Sequence, residues 1–140
     1  MLKTWVLVAD RSRARFFSID TPKGPLKEFE DRVCPEARLH DGRDVDGGKR
    51  AGSEHHTFPP PPPAKQQEAI DFAREVASRA DAGRVHGDFE RLVLVASPDF
   101  LGALRKKLPA PTAKLVDRTI DKNLTQLSAT DIRRHLPEIL

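Results

Sequence analysis

Asp10 is followed by an arginine at alternate positions, Arg11, Arg13 and Arg15. An acid beside clustered guanidiniums offers two kinds of chemistry. Arginine forks grip phosphate oxygens, so the run suits contact with a phosphate or an RNA backbone. The carboxylate could instead be the first of the acids with which a metal-dependent nuclease holds divalent cations. The local alternative is that Asp10 caps a turn and pairs with a neighbouring arginine.

Further along, Ser97-Pro98-Asp99 has the signature of a helix start: a serine cap, a proline in the first helical position and an acid in the first turn. The amide end of such a helix attracts anions. Asp121 and Lys122 could join the same edge. Arg105-Lys106-Lys107 is a second basic cluster, at the end of a helix, where cations also offset the helix dipole. The candidate binding set is therefore Asp10, Arg11, Arg13, Arg15, Ser97, Arg105, Lys106, Lys107 and Lys122.

Other groupings carry less. A nuclease needs several acids; Asp99 or Asp121 could serve, but no acid stands out on the first helix or the second and third strands. Glu28, Glu30 and Asp31 read as solvated edge residues. His55 and His56, with His40 and Cys34, match no zinc spacing. Gly47-Gly48-Lys49 is no complete phosphate loop and reads as flexible filler. No nucleophile, histidine and acid form a legible set. No catalytic residue, metal or cofactor is assigned.

These residues need a scaffold. Residues 3–9 are apolar on both alternating faces, Trp5, Leu7 and Ala9 against Val6 and Val8, as in a strand buried on both sides. Residues 15–19 form a second strand, and Pro22, Gly24 and Pro25 a turn. Residues 26–33 alternate Lys27, Phe29, Asp31 and Val33 with Glu28, Glu30 and Arg32, as in a charged edge strand. From His40 to Ala64 the chain turns glycine-, histidine- and proline-rich, ending in the prolines Pro59 to Pro63. It holds too little apolar surface to offset its ordering entropy and reads as a long flexible loop with a stiff end.

Residues 65–82 carry Ala69, Ile70, Ala73, Val76, Ala77 and Ala80 at helical spacing, with Gly83 placed as a C-terminal cap. Arg91 to Ala96 is a buried strand. Phe100, Leu101, Leu104 and Leu108 form one face of the helix that Pro98 opens and Pro109 ends. Residues 115–121 hold the last strand, and Ser128 with Asp131 starts a final helix ending near Pro137. The order β-β-β, loop, α-β-α-β-α gives an α/β fold, one mixed five-stranded sheet flanked by helices. The expected strand order is 3-2-1-4-5 with strand 2 antiparallel to the rest, a ribonuclease-H-like layout. Ligands in such sheets bind beyond the carboxyl ends of the parallel strands, where Asp10 and Ser97 fall.

A chain of 140 residues fits one domain, 1–140. With 24 basic and 21 acidic residues, the net charge of +3 is compatible with a nucleic-acid partner and excludes a polybasic tail protein. One cysteine excludes an intramolecular disulfide and a multi-thiolate metal site. Asp10, Arg11 and Arg13 cut the first apolar run short of a signal sequence, so a cytoplasmic location is expected. The charged edge strand argues against open-ended sheet pairing.

Several stretches resemble a known bacterial family in their order and spacing. They are Trp5-Val-Leu-Val-Ala-Asp10, Ala14-Arg15-Phe16, Pro35-Glu-Ala-Arg-Leu39, Arg91-Leu-Val-Leu-Val-Ala96, Phe100-Leu-Gly102 and Asp121-Lys-Asn-Leu-Thr-Gln-Leu-Ser128. The family is that of the host attachment proteins, proteins required for attachment to host cells. It is grouped with bacterial relatives of archaeal and eukaryotic peptide-chain release factors. The resemblance implies the ribonuclease-H-like fold of those factors' middle domain. There that domain carries a Gly-Gly-Gln loop that enters the peptidyl-transferase centre; here Gly47-Gly48 is followed by Lys49. The resemblance thus implies a ribosome- or tRNA-associated factor rather than a hydrolase.

The expected function is a non-catalytic cytoplasmic module that binds ribosome or RNA. Arg11, Arg13, Arg15 and Arg105 to Lys107 would contact phosphates, and the 40–64 loop would order on binding. The alternatives are a metal-dependent nuclease using Asp10, or a protein-interaction factor with an indirect role in attachment.

Overall fold

The computed structural model describes residues 3–34 and 63–137, with side chains from Gln66 onward in the second stretch. The expected loop, with His40, Gly47, Gly48, Lys49, His55 and His56, lies outside the described residues except for its last positions. Those positions, Pro63 and Ala64, already belong to a helix.

Five strands form one sheet: β1 (Thr4–Ala9), β2 (Arg13–Ile19), β3 (Lys27–Val33), β4 (Arg91–Ala96) and β5 (Val116–Ile120). The sheet order is β3-β2-β1-β4-β5. β1 runs antiparallel to β2 and parallel to β4, and β4 runs parallel to β5. β2 is therefore the reversed strand, as expected from sequence. The helices are α1 (Pro63–Val85), α2 (Pro98–Lys107), the short α3 (Ala110–Ala113) and α4 (Ala129–Arg134).

The two-faced apolar run of β1 explains its central place. Trp5, Leu7 and Ala9 pack with Phe72, Ala73, Val76, Ala77 and Ala80 of α1 and Phe100, Leu101 and Leu104 of α2. Val6 and Val8 pack on the other face with Phe17, Val93, Val95, Leu124 and Ile132. Burial on both sides is what a purely aliphatic strand needs to stay out of water.

Three local expectations are corrected. α1 extends beyond 65–82 at both ends, because proline's missing amide proton costs nothing in the first turn, so Pro63 can open it. Gly83 does not cap α1. It lies inside the helix against the Trp5 indole, where a Cβ would sit 2.6 Å from Cζ3 and 3.1 Å from Cζ2. The cap is Gly87, with φ of 77°. Its amide donates to the carbonyl of Arg84 at 3.0 Å, and the Asp88 amide donates to that of Gly83 at 2.8 Å.

The alternation of β3 also breaks. Phe16 pairs with Glu30, but Phe17 pairs with Glu28, so Phe29 is a bulged extra residue. The bulge lets Phe29 pack against Trp5 with the rings tilted and their centroids 4.7 Å apart, while Glu30 still accepts from Arg79 of α1 at 2.7 Å.

Candidate functional site: two edges of the sheet

At the carboxyl end of β1, Asp10 joins two parts of the chain. Its Oδ1 accepts from the backbone amides of Ser12 and Arg13 at 2.8 and 2.9 Å, closing the β1–β2 turn. Its Oδ2 accepts from the Thr125 hydroxyl at 2.9 Å and the Asn123 amide at 3.3 Å. Oδ1 is thus engaged by the β1–β2 turn and Oδ2 by the segment that follows β5. Among the described residues, no group of three His, Cys, Asp or Glu side chains could hold a metal ion.

The three arginines after Asp10 all carry acidic partners. Arg11 donates to Asp99 at 3.0 Å. Arg13 forms a two-pronged pair with Asp31, at 3.1 and 2.9 Å. The hydrogen bond that Arg13 donates to Asp31 raises the Arg13 pKa despite partial burial. Arg15 is buried. It forks onto Glu28 at 3.0 and 2.9 Å, and its Nη1 donates to the carbonyls of Thr125 at 3.0 Å and Leu127 at 2.6 Å. Its guanidinium also lies 5.1 Å from the centroid of the Phe17 ring. Arg15 and Asp10 together fasten the β5–α4 connection to the first hairpin.

The start of α2 is filled from within the chain. Ser97 occupies the N-cap position, but its hydroxyl makes no capping bond to the helix amides. Asp99 accepts instead from the Phe100 amide at 2.9 Å. Burial pushes the Asp99 carboxyl up. The Phe100 amide, a hydrogen bond with Ser97 and the Arg11 charge outweigh it and hold the pKa below the usual value. A carboxylate therefore sits where a bound anion would go. Lys122 and Asp121 are exposed just past the end of β5.

The opposite end of α2 differs. Arg105, Lys106 and Lys107 occupy its last turn, and Arg105 and Lys106 are exposed. None has an ion-pair partner among the described residues. Arg105 and Lys106 line a cleft of about 510 Å³ that includes Val116, the first residue of β5. Lys106 and Lys107 line a second, of about 430 Å³, along the α1 side. Since Lys122 follows the far end of β5, the structure does not join it to this cluster.

The candidate residues thus divide between two edges. Asp10, Arg11, Arg13, Arg15 and Ser97 lie where expected, with Asp10 and the three arginines bonded to other parts of the chain. Arg105 to Lys107 have no acid paired with them among the described residues. Asn123 and Thr125 were not singled out by sequence reasoning. Their only signal was their place in the Asp121–Ser128 stretch. Of the cleft residues, Gly102 had the same kind of signal, its place in the Phe100–Gly102 stretch, and Val116 had none.

Comparison with known proteins fits this architecture. Residues 5–136 match the family described as "Protein required for attachment to host cells". No curated protein matches the chain. Among solved structures, an archaeal translation termination factor aligns with a TM-score of 0.52 at 9% identity. The alignment covers 95% of this chain and 37% of that one. A Ppx/GppA phosphatase of Aquifex aeolicus aligns with a TM-score of 0.40 at 12% identity, covering 86% of this chain and 36% of its own. The chain spans little more than a third of each of these proteins.

Proposed function

Given that the chain belongs to the family of proteins required for attachment to host cells, and shares its fold with part of a translation termination factor, we propose that it is a ribosome- or RNA-binding module without hydrolytic chemistry. The observation that carries this reading is the basic turn Arg105-Lys106-Lys107, without an ion-pair partner among the described residues, beside two open clefts. Cations already matched by carboxylates have little to gain from a phosphate. Unmatched ones release counterions on binding an RNA backbone. The contact set expected from sequence is thereby narrowed: Arg11, Arg13 and Arg15 hold the fold, and Arg105 to Lys107 meet the RNA.

Lys49 in place of the glutamine of release factors argues against peptidyl-tRNA hydrolysis. A nuclease built on Asp10 is not favoured, because both its oxygens are engaged by four donors. In this reading the module works in the cytoplasm, and attachment is an indirect phenotype.

The test is sedimentation of a cell lysate through sucrose at low and high salt, with wild type and the triple variant R105A/K106A/K107A. Wild type should travel with ribosomal particles at low salt and leave them at high salt. The triple variant should stay at the top. For purified protein and single-stranded RNA, losing three phosphate contacts should flatten the slope of log affinity against log salt by about 2. Salt-insensitive binding, or binding untouched by the triple change, would refute the reading.

A further inference from the structure

Helical spacing puts Gly102, Arg105 and Lys106 on one exposed face of α2, opposite the buried Phe100, Leu101 and Leu104. Side chains on a helix lean toward its N-terminus, so Arg105 and Lys106 lean back across Gly102. The cleft of about 510 Å³ opens beside them, walled by Leu108, Ala113 and Val116. Its volume is that of a site for a small organic molecule. Its floor is apolar, and its charged lining consists of two cations without ion-pair partners among the described residues. A Cβ placed on Gly102 would meet nothing within 4 Å, so the missing side chain leaves room that any larger residue would occupy.

The neighbouring cleft shares Gly102 and Lys106 but is also lined by Asp99, whose carboxylate repels anions. The acid next to the first cleft, Asp117, faces Arg91 at 3.8 Å and Arg118 at 3.7 Å. Charge and apolarity therefore single out the first cleft. They suit a ligand with an anionic group attached to a poorly hydrated body, as in a nucleotide.

We infer that this cleft takes one unstacked nucleotide of a single-stranded RNA, its base on the apolar floor and its adjoining phosphates on Arg105 and Lys106. The inference rests on the RNA-binding reading and adds a preference to it. A duplex keeps its bases stacked inside and offers only phosphates, so it would engage the cations and leave the floor empty. A single strand can satisfy both.

The experiment compares a mixed-sequence single-stranded RNA with a duplex of equal phosphate count, by equilibrium binding at low salt. Wild type should bind the single strand more tightly, by the roughly tenfold that burying about 60 Å² of apolar base surface contributes. Gly102→Leu should keep duplex affinity and lose that preference, because its side chain fills the cleft. Leucine is a better helix former than glycine at an exposed site, so the variant should fold, and its circular dichroism would verify this. Gly102→Ala, which adds one methyl, should retain most of the preference. The double variant R105A/K106A should weaken binding to both RNAs. Equal affinity of wild type for the two RNAs, or a preference that survives Gly102→Leu, would overturn the inference while leaving RNA binding standing. Wild type that binds neither RNA would overturn both.

Discussion

Replacing Asp10 with alanine tests whether this carboxylate serves the fold or a reaction. The change removes acceptors for the Ser12 amide at 2.8 Å, the Arg13 amide at 2.9 Å and the Thr125 hydroxyl at 2.9 Å, with a longer contact to Asn123 at 3.3 Å. Each of the shorter bonds contributes about 1 kcal/mol net in a partly exposed site. Asp10→Ala should therefore cost about 3 kcal/mol. For a domain of this size that lowers Tm by about 10 °C. Asp10→Asn is the informative partner. Its carbonyl can still accept from the turn amides, and its amide can donate to the Thr125 hydroxyl, which has a second bond to Asn123 at 2.8 Å. It should cost about 1 kcal/mol. Urea unfolding of the three proteins gives the comparison, with an unchanged m-value as the control that the unfolding reaction is the same. Both variants, where folded, should keep wild-type RNA affinity. The reasoning fails if Asp10→Ala is as stable as wild type. It also fails if a stable Asp10→Asn loses RNA binding or abolishes a metal-dependent cleavage activity.

Three further changes probe the scaffold. Arg15→Lys keeps the charge but loses the fork that reaches Glu28, Thr125 and Leu127 together. It should cost about 1–2 kcal/mol and speed amide hydrogen exchange selectively in residues 123–128; uniform exchange would count against a local clasp. Gly83→Ala, which at an open helix position would stabilise by up to about 1 kcal/mol, should here destabilise by about 1–3 kcal/mol because the methyl meets the Trp5 ring. A raised Tm would show that the indole yields freely. Glu30 is subject to burial, which raises its pKa, but hydrogen bonds from Arg32 and Arg79 outweigh it and hold the value below 4.5. Its ionised form therefore stabilises the fold above about pH 4.5, and that contribution is lost as pH falls through the lowered folded value. Glu30→Gln should be less stable at pH 7, and its stability should converge with that of wild type in acid; parallel curves from pH 7 to acid would break the linkage.

The sheet was legible because its apolar code is short-ranged and unambiguous. Val6 and Val8 beside Trp5 and Leu7 demand burial on both faces, and only a central strand supplies that. The helix start at Pro98 and the Ser128–Asp131 cap, with the Ser128 hydroxyl accepting from the Asp131 amide at 3.1 Å, are equally local signals. The misread glycine shows the limit. Gly83 and Gly87 look alike as helix terminators, and what separates them is the Trp5 indole, distant in sequence. The bulge at Phe29 has the same origin, since it depends on Trp5 and Arg79 across the layer.

The site was harder to read for a reason rooted in charge. Sequence shows where arginines are, not where their partners fold to. Arg11, Arg13 and Arg15 looked like the richest cationic run, yet Asp99, Asp31 and Glu28 come from three other places in the chain to meet them. Arg105, Lys106 and Lys107 were a second basic cluster of the same candidate set, where they could also offset the helix dipole, and folding brings them no acid among the described residues. A surface cation's capacity for a phosphate depends on what it lacks, and that is a tertiary property. The fold spends the charge of one edge on its own cohesion and leaves that of the other exposed beside an apolar cleft. The proposed RNA contact is therefore to be tested first at the end of α2 where β5 begins, ahead of the carboxyl edge where α/β sheets most often bind ligands.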